Sequence, residues 1–338
     1  MKSHSEILVP PHSEHLWRYT PWKRMHPTEP HDVPVSRQMS ITGAELIPTD
    51  LPPSEEISRS LLHEMSKGEE LVIANECMTI DIKASGHITA SSLKVVAKGH
   101  TQLMIRLVGE AGWIGLRIHG EVLSGGSLSV GFVNQLTSDS IFLRSEDWVV
   151  HRDARIEHAT LSGGGITCKS DVRVNLVDKG AECAVAAAVY GSEKRHDDHH
   201  FEIHHASPNT NSTLISHAAC DDSSRSIGTG MLTIDEQCHQ SEANQVFRNL
   251  LLSEKARAES IPELEVLADD VKAGHGAASA PVNSSQIHYL MSRGMNREEA
   301  VGVIAEGFLI DAFREIRNKD VIAFLRDELT LHLQCLVI

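Results

Sequence analysis

Five histidines, two aspartates and a glutamate fall within the ten residues His196 to His205, which read HDDHHFEIHH. Imidazole and carboxylate groups together suit zinc or iron. On an extended strand, residues two apart share a face, so Asp198, His200 and Glu202 would line one side and Asp197, His199 and Phe201 the other. The candidate metal ligands are His199, His200, His204 and His205, and a metal-dependent enzyme centred on His196 to His205 is one reading of the stretch. The competing reading is a strand with polar faces whose imidazoles are satisfied by hydrogen bonds. The spacing itself supplies no third or fourth ligand.

A second place for chemistry is a single histidine. His275 sits in Lys272, Ala273, Gly274, His275, Gly276, where two glycines free the backbone and leave the imidazole uncrowded. Other combinations carry less. Cys238 and His239 are adjacent, and on a strand they would point to opposite faces. Cys183 and Cys220 lie among alanines and read as core. The glycines of LSGGGITCKS, Gly163 to Gly165, lack the following GK(S/T) and helix of a phosphate loop and read as a β-turn. There is no GxSxG and no other context for covalent hydrolysis.

These residues must be held by something long and regular. Residues 1 to about 69 are polar and proline-punctuated, with EHLWRYTPW (Glu14 to Trp22) predicting a short helix or turn that docks aromatic side chains. Ser54 is placed to cap a helix whose Ile57, Leu61 and Met65 share a face, before Gly68 stops it. From about 70 to 281 the apolar period drops to 2, with short bursts such as Leu103, Ile105, Leu107 and Val172, Val174, Leu176 recurring between Gly, Ser, Asn and Asp. So many short strands with few aromatics, 4% overall, suit a thin core, and a parallel β-helix fits better than a sandwich or barrel. Residues 282 to 338 return to a helical period, with capping pairs Asn283/Gln286 and Asn296/Glu299, an apolar stripe from Val301 to Ile316, and a third helix from Asp320. That stripe has an ordinary explanation as core between the helices and the β region.

The 338 residues carry 31 Lys and Arg against 46 Asp and Glu, a formal charge of −15, which argues against nucleic acid or an anionic membrane as a main partner. The six cysteines, Cys77, Cys168, Cys183, Cys220, Cys238 and Cys335, form no CxxC pair and read as reduced core thiols. The start, MKSHSEILVPPHSEH, has no signal-peptide core, and no apolar run approaches the roughly 20 residues that span a bilayer. A cytoplasmic protein is expected.

Three segments together are specific: DDHHFEIHHASPNTNS, NQVFRNLLLSEKARAESIPELEVLADDVKAGHGAAS and HYLMSRGMNREEAVGVIAEGFL. They resemble the SufB/SufD family of iron–sulfur cluster assembly proteins, from about Gly180 through Phe313. The resemblance implies a right-handed parallel β-helix flanked by N-terminal and C-terminal helical regions. It also implies a scaffold rather than an enzyme, working in a complex: a SufB-type paralogue, or a second copy, pairs through the β-helix edge, and a SufC-type ATPase docks on the C-terminal helical domain. SufB-like chains carry a cysteine and a glutamate where this chain has Ala256 and Gly276, so the likeness is to SufD. His275 aligns with the histidine that SufD contributes at the partner interface, whereas Ala273 stands where many SufD chains have cysteine. The resemblance implies, finally, that no cofactor is bound stably by the isolated chain, and that an iron–sulfur cluster is met transiently in the complex, with His275 at the assembly site.

Overall fold

A computed structural model describes residues 3–336, with side chains to Leu333. Most of the chain is a parallel β-solenoid of about 8 turns, with helices toward both ends. The first strands are short: β1 (Ser40–Thr42) and β2 (Ile47–Thr49), paired antiparallel to β4 and β3 of the solenoid. The solenoid begins with β3 (Gly68–Ala74), β4 (Cys77–Lys98) and β5 (His100–Val122). β5 passes through both walls: its first half pairs with β6 (Ser127–Leu136) and its second half with β7 (Ile141–Val150). The bend falls at Gly109, whose φ of 114° and close approach to the Ala84 carbonyl no side chain would tolerate.

From there the chain alternates between two walls. One wall continues from β7 through β9 (Thr167–Leu176), β11 (His196–His205), β13 (Arg225–Ile234) and β15 (Arg257–Val266). The other runs from β6 through β8 (Arg155–Ser162), β10 (Glu182–Gly191), β12 (Asn211–Cys220), β14 (Ser241–Leu251) and β16 (Val271–Pro281). All pairs within the walls are parallel. One turn later each residue meets its register partner, as His200 meets Thr229 at a separation of 29 residues. Corners are turned by residues with left-handed backbone, among them Asp153, Glu193, Asn209 and Asp222.

Alternation explains the burial. Inward side chains such as Ile105, Phe132, Val172, Val185, Phe201 and Leu232 form one continuous apolar core between the walls. Much of the outer face of each wall is buried as well, by different ends of the chain. On the β6 wall, Ala184, Ala186 and Ala188 of β10 leave room for helices α4 (Arg297–Ile310) and α5 (Lys319–Leu336), which with the segment between them contribute Leu309, Phe313, Ile316, Val321 and Leu325 to a second core, while α3 (Ser284–Ser292) packs on α4. The stripe predicted as one helix breaks after Ile310, where Asp311–Phe313 forms a 3-10 turn that lets Phe313 and Ile316 reach the wall.

The N-terminal segment covers the β7 wall. It comprises 3-10 turns His4–Glu6 and His15–Trp17, helix α1 (Trp22–Met25), and helix α2 (Ile57–Met65). Trp17 and Trp22 are 1% exposed and pack with Leu61, Leu62, Trp113 and Leu143. Helix α2 starts two residues later than Ser54 suggested, because the Glu56 carboxylate accepts the Arg59 backbone N–H and is the better cap. Arg59, 2% exposed, joins this helix to the wall: Nε donates to Asp147 Oδ2 at 2.7 Å, Nη1 to Asp171 Oδ2 at 2.5 Å and Nη2 to the Glu146 carbonyl at 3.1 Å. Burial alone would raise the Asp171 carboxyl, but Arg173, Arg59 and His200 hold it well below its usual range.

Not every cysteine is core. Cys168, Cys183, Cys220 and Cys238 are buried, but Cys77 opens β4 on an outward position and is exposed; Cys335 lies outside the described side chains. Cys238 and His239 occupy a corner rather than a strand, and the Cys238 thiol donates to the His205 carbonyl at 3.1 Å. The glycines 163–165 link β8 to β9 in irregular backbone. No described helix is long and apolar enough to cross a membrane.

Removing Arg59 takes a cation partner from Asp147 and from Asp171, the latter keeping Arg173. Arg59→Ala is expected to lower unfolding free energy by about 3–5 kcal/mol, read by denaturant titration; a loss under about 1 kcal/mol would mean that the ion network adds nothing to docking of the N-terminal segment.

Candidate functional site

The terminal rung carries His275. β15 and β16 end the strand order, each paired on one side only. β16 is almost wholly exposed and β15 only partly covered. In register His275 stands opposite Gln245 of β14, and a side chain placed at the flanking Gly274 or Gly276 would meet nothing closer than the Asn244 amide at 3.4 Å. The side chains around it are small, Ala273, Ala277 and Ala278, so the backbone edge is accessible along its length. Lys272, which reaches Glu242 at 2.5 Å, and the partly covered Pro262 on β15 are the features of this rim that blunt strand addition. The opposite end differs: the edge of β3 is paired with β2.

The histidine-rich stretch is β11, buried on both faces, and its alternation is the one predicted. The outward residues face the N-terminal segment and neighbouring rungs. His196 Nε2 lies 2.9 Å from Thr20 Oγ1, Asp198 pairs with Lys169 at 2.9 Å, and Lys169 lies 5.7 Å from the centroid of the Trp17 ring. His200 Nδ1 lies 2.8 Å from Thr229 Oγ1 and stacks edge-on with His15; His204 Nε2 lies 3.0 Å from Asp235. Inward, His205 is held between the Thr210 and Ser212 hydroxyls, 2.7 Å from each. Three of the four candidate ligands, His200, His204 and His205, therefore point to three different places and are engaged there.

His199 is the exception. It faces inward, is 2% exposed, and neither ring nitrogen has a hydrogen-bond partner. Its Nε2 lies 3.5 Å from Asp197 Oδ1, and together with the Cys168 thiol these are three buried donors within 4.8 Å of one another. Asp197 is also clasped by Arg195, Nε to Oδ2 at 2.6 Å and Nη2 to Oδ1 at 2.7 Å. Burial would raise the Asp197 carboxyl, but Arg195 and His199 keep it below its usual range; burial and the nearby Asp197 push the Cys168 thiol up to about 12. Sequence reasoning does not single out Cys168 and Asp197 as ligands, although they are register partners on adjacent rungs and the repeat length would have aligned them.

The fold agrees with what comparison reveals. Residues 89–308 match the family described as "SUF system FeS cluster assembly, SufBD core domain". The chain belongs to the SufB/SufD family. It is 33% identical to the iron–sulfur cluster assembly protein SufD of Bacillus subtilis over 200 residues, which take in 58% of this chain and 46% of that protein. It is 24% identical over 359 residues to a SufBD family protein of Mycobacterium leprae, and 23% identical over the same length to one of Mycobacterium tuberculosis; each alignment covers 95% of this chain and 88% of the relative. The likeness to SufD agrees with Ala256 and Gly276.

Burial depresses the basicity of His205, with His204 adding to it, to about 4. The unfolded chain therefore takes up this proton first, so stability is complete above about pH 6.5 and declines as pH falls toward 4. The loss amounts to on the order of 3 kcal/mol for this residue. Replacing His205→Asn should flatten that slope in urea midpoints measured from pH 7 to 4; an unchanged slope would place the acid sensitivity elsewhere.

Proposed function

We propose that this protein is a SufD-like scaffold subunit of the SUF iron–sulfur cluster assembly machinery and is not itself an enzyme. The observation that carries the reading is the open terminal rung of β15 and β16, with His275 on it. An exposed parallel edge of ten or eleven residues offers a row of backbone donors and acceptors, otherwise met by water, with which another strand can pair along its length. Small side chains beside His275 let that strand come close. A SufB-type paralogue, or a second copy of this chain, fits such an edge, and the cluster is cargo built across the joint.

His275 would then serve as an iron ligand or proton carrier next to groups that the partner supplies, since a neutral imidazole suits either role. This chain has Ala273 and Ala256 where the related chains have cysteine, so neither position brings a thiolate. A cluster held at that joint is accordingly transient.

The C-terminal helices are the docking element for a SufC-type ATPase. α4 and α5 spend their inner faces on the β6 wall and α3 packs on α4, yet Tyr289 and Met291 of α3 and Val303 of α4 remain exposed. Aromatic and Met side chains of this kind are enriched at interface centres. The metal-enzyme reading of His196 to His205 has little to support it, because its imidazoles diverge.

Two substitutions separate these roles. His275→Ala should leave the melting temperature and complex intact while lowering cluster transfer to an acceptor apoprotein roughly tenfold or more; undiminished transfer would remove the role. Tyr289→Ala combined with Val303→Asp should weaken recovery of the ATPase subunit at least tenfold, and equal recovery would move the docking surface off these helices.

A further inference from the structure

We propose that Cys168, Asp197 and His199 bind a zinc-type divalent metal ion inside the solenoid, at a site separate from the terminal rung. Three independent observations converge on it. Thiol, carboxylate and imidazole are a mixed ligand set that zinc accepts with tetrahedral geometry, and here all three come from adjacent rungs of one wall, Cys168 opposite Asp197 in register and His199 two residues on, along the same inward face. Their donor atoms lie within 4.8 Å of one another. Tetrahedral bonds of about 2.0–2.3 Å separate ligand atoms by roughly 3.3–3.8 Å. His199 Nε2 and Asp197 Oδ1 are already 3.5 Å apart, so small side-chain rotations complete the set.

The second observation is what the site lacks without an ion. Among the described residues His199 Nδ1 has no partner, Nε2 reaches only Asp197 Oδ1 at the long distance of 3.5 Å, and the hydroxyl of Ser170, which faces His199 in register, is unpartnered. A buried polar group left unmatched costs about 1–3 kcal/mol; inward His205, with two hydroxyl partners, does not bear it, and His158 leaves only Nδ1 unmatched, its Nε2 lying 2.8 Å from Glu146. An ion would take one imidazole nitrogen directly, and a water or the Ser170 hydroxyl can fill the fourth position.

The third is the outer partner. Arg195 grips both oxygens of Asp197, which fixes the carboxylate plane while leaving lone pairs free, since each carboxylate has about four. The guanidinium also repels a second cation, so the affinity must come from the thiolate. Coordination converts the Cys168 thiol to thiolate and sends one proton to solvent. The expected role is structural, holding consecutive rungs of the wall together, and it does not depend on the partner reading above.

The full chain, refolded with one equivalent of zinc or cobalt(II) and passed through gel filtration, should retain about one ion per molecule. The cobalt form should show thiolate-to-metal charge-transfer absorption. Cys168→Ala and His199→Phe should each retain less than a tenth of that metal, whereas Cys183→Ala and His204→Asn should retain all of it. No retained metal in the unaltered chain, as expected if a buried water satisfies His199 instead, would overturn the proposal. So would equal retention by Cys168→Ala. Should either variant fail to fold by circular dichroism, the cobalt spectrum of the unaltered chain decides: a thiolate band supports the site, and its absence rejects it.

Discussion

A parallel rung can satisfy its backbone only on the rung before it and the rung after it. Each strand offers donors and acceptors on both edges, and a solenoid, unlike a barrel, never closes on itself. In this chain the constraint is met through the middle by register so regular that successive rungs pair along their whole length. It is met at the first end by the short antiparallel strands β1 and β2. At the last end it is left unmet, and the histidine that the family resemblance singles out stands on that end.

The same alternation that fills the core creates a second demand, because each wall also has an outer face. On the β6 wall this face is apolar, alanines interspersed with larger residues such as Leu161 and Ile215, and helices seat on it by apolar contact. The β7 wall is charged, and the N-terminal segment meets it with charges of its own: Arg59 against Asp147 and Asp171, and His15 against Glu263. Both solutions bury one end of the chain on one wall. They leave the terminal rung as the place where a further protein can add to the backbone ladder, which is why the scaffold reading rests on topology rather than on any one side chain.

Ionisable groups between the walls are otherwise held in networks. Arg144, Glu146, His158 and Trp148 form one of these, in which burial would raise the Glu146 carboxyl but Arg144, His158 and Trp148 hold it down to about 2. Against that background the ring of His199 stands out on β11, inward and without a hydrogen-bond partner on either nitrogen, and the proposed ion would remove the exception.

Much of this architecture was legible in the residues themselves. Period-2 apolar bursts punctuated by turn residues impose strands, a thin core of small aliphatics suits a solenoid, and the helical periods at 57–65 and beyond 283 emerged where expected, because side-chain alternation and capping are local properties of a chain. The two faces of His196 to His205 were readable for the same reason. Which histidines converge was not, since that depends on register between rungs a full turn apart: His200 went to Thr229, His205 to Thr210 and Ser212, and His199 to Cys168 and Asp197. Nor could sequence alone assign the N-terminal segment to one wall and the C-terminal helices to the other, or leave Cys77 outside while four cysteines went in. Local periodicity determines the strands; only stacking decides their neighbours, and at this protein's candidate sites the neighbours make the chemistry.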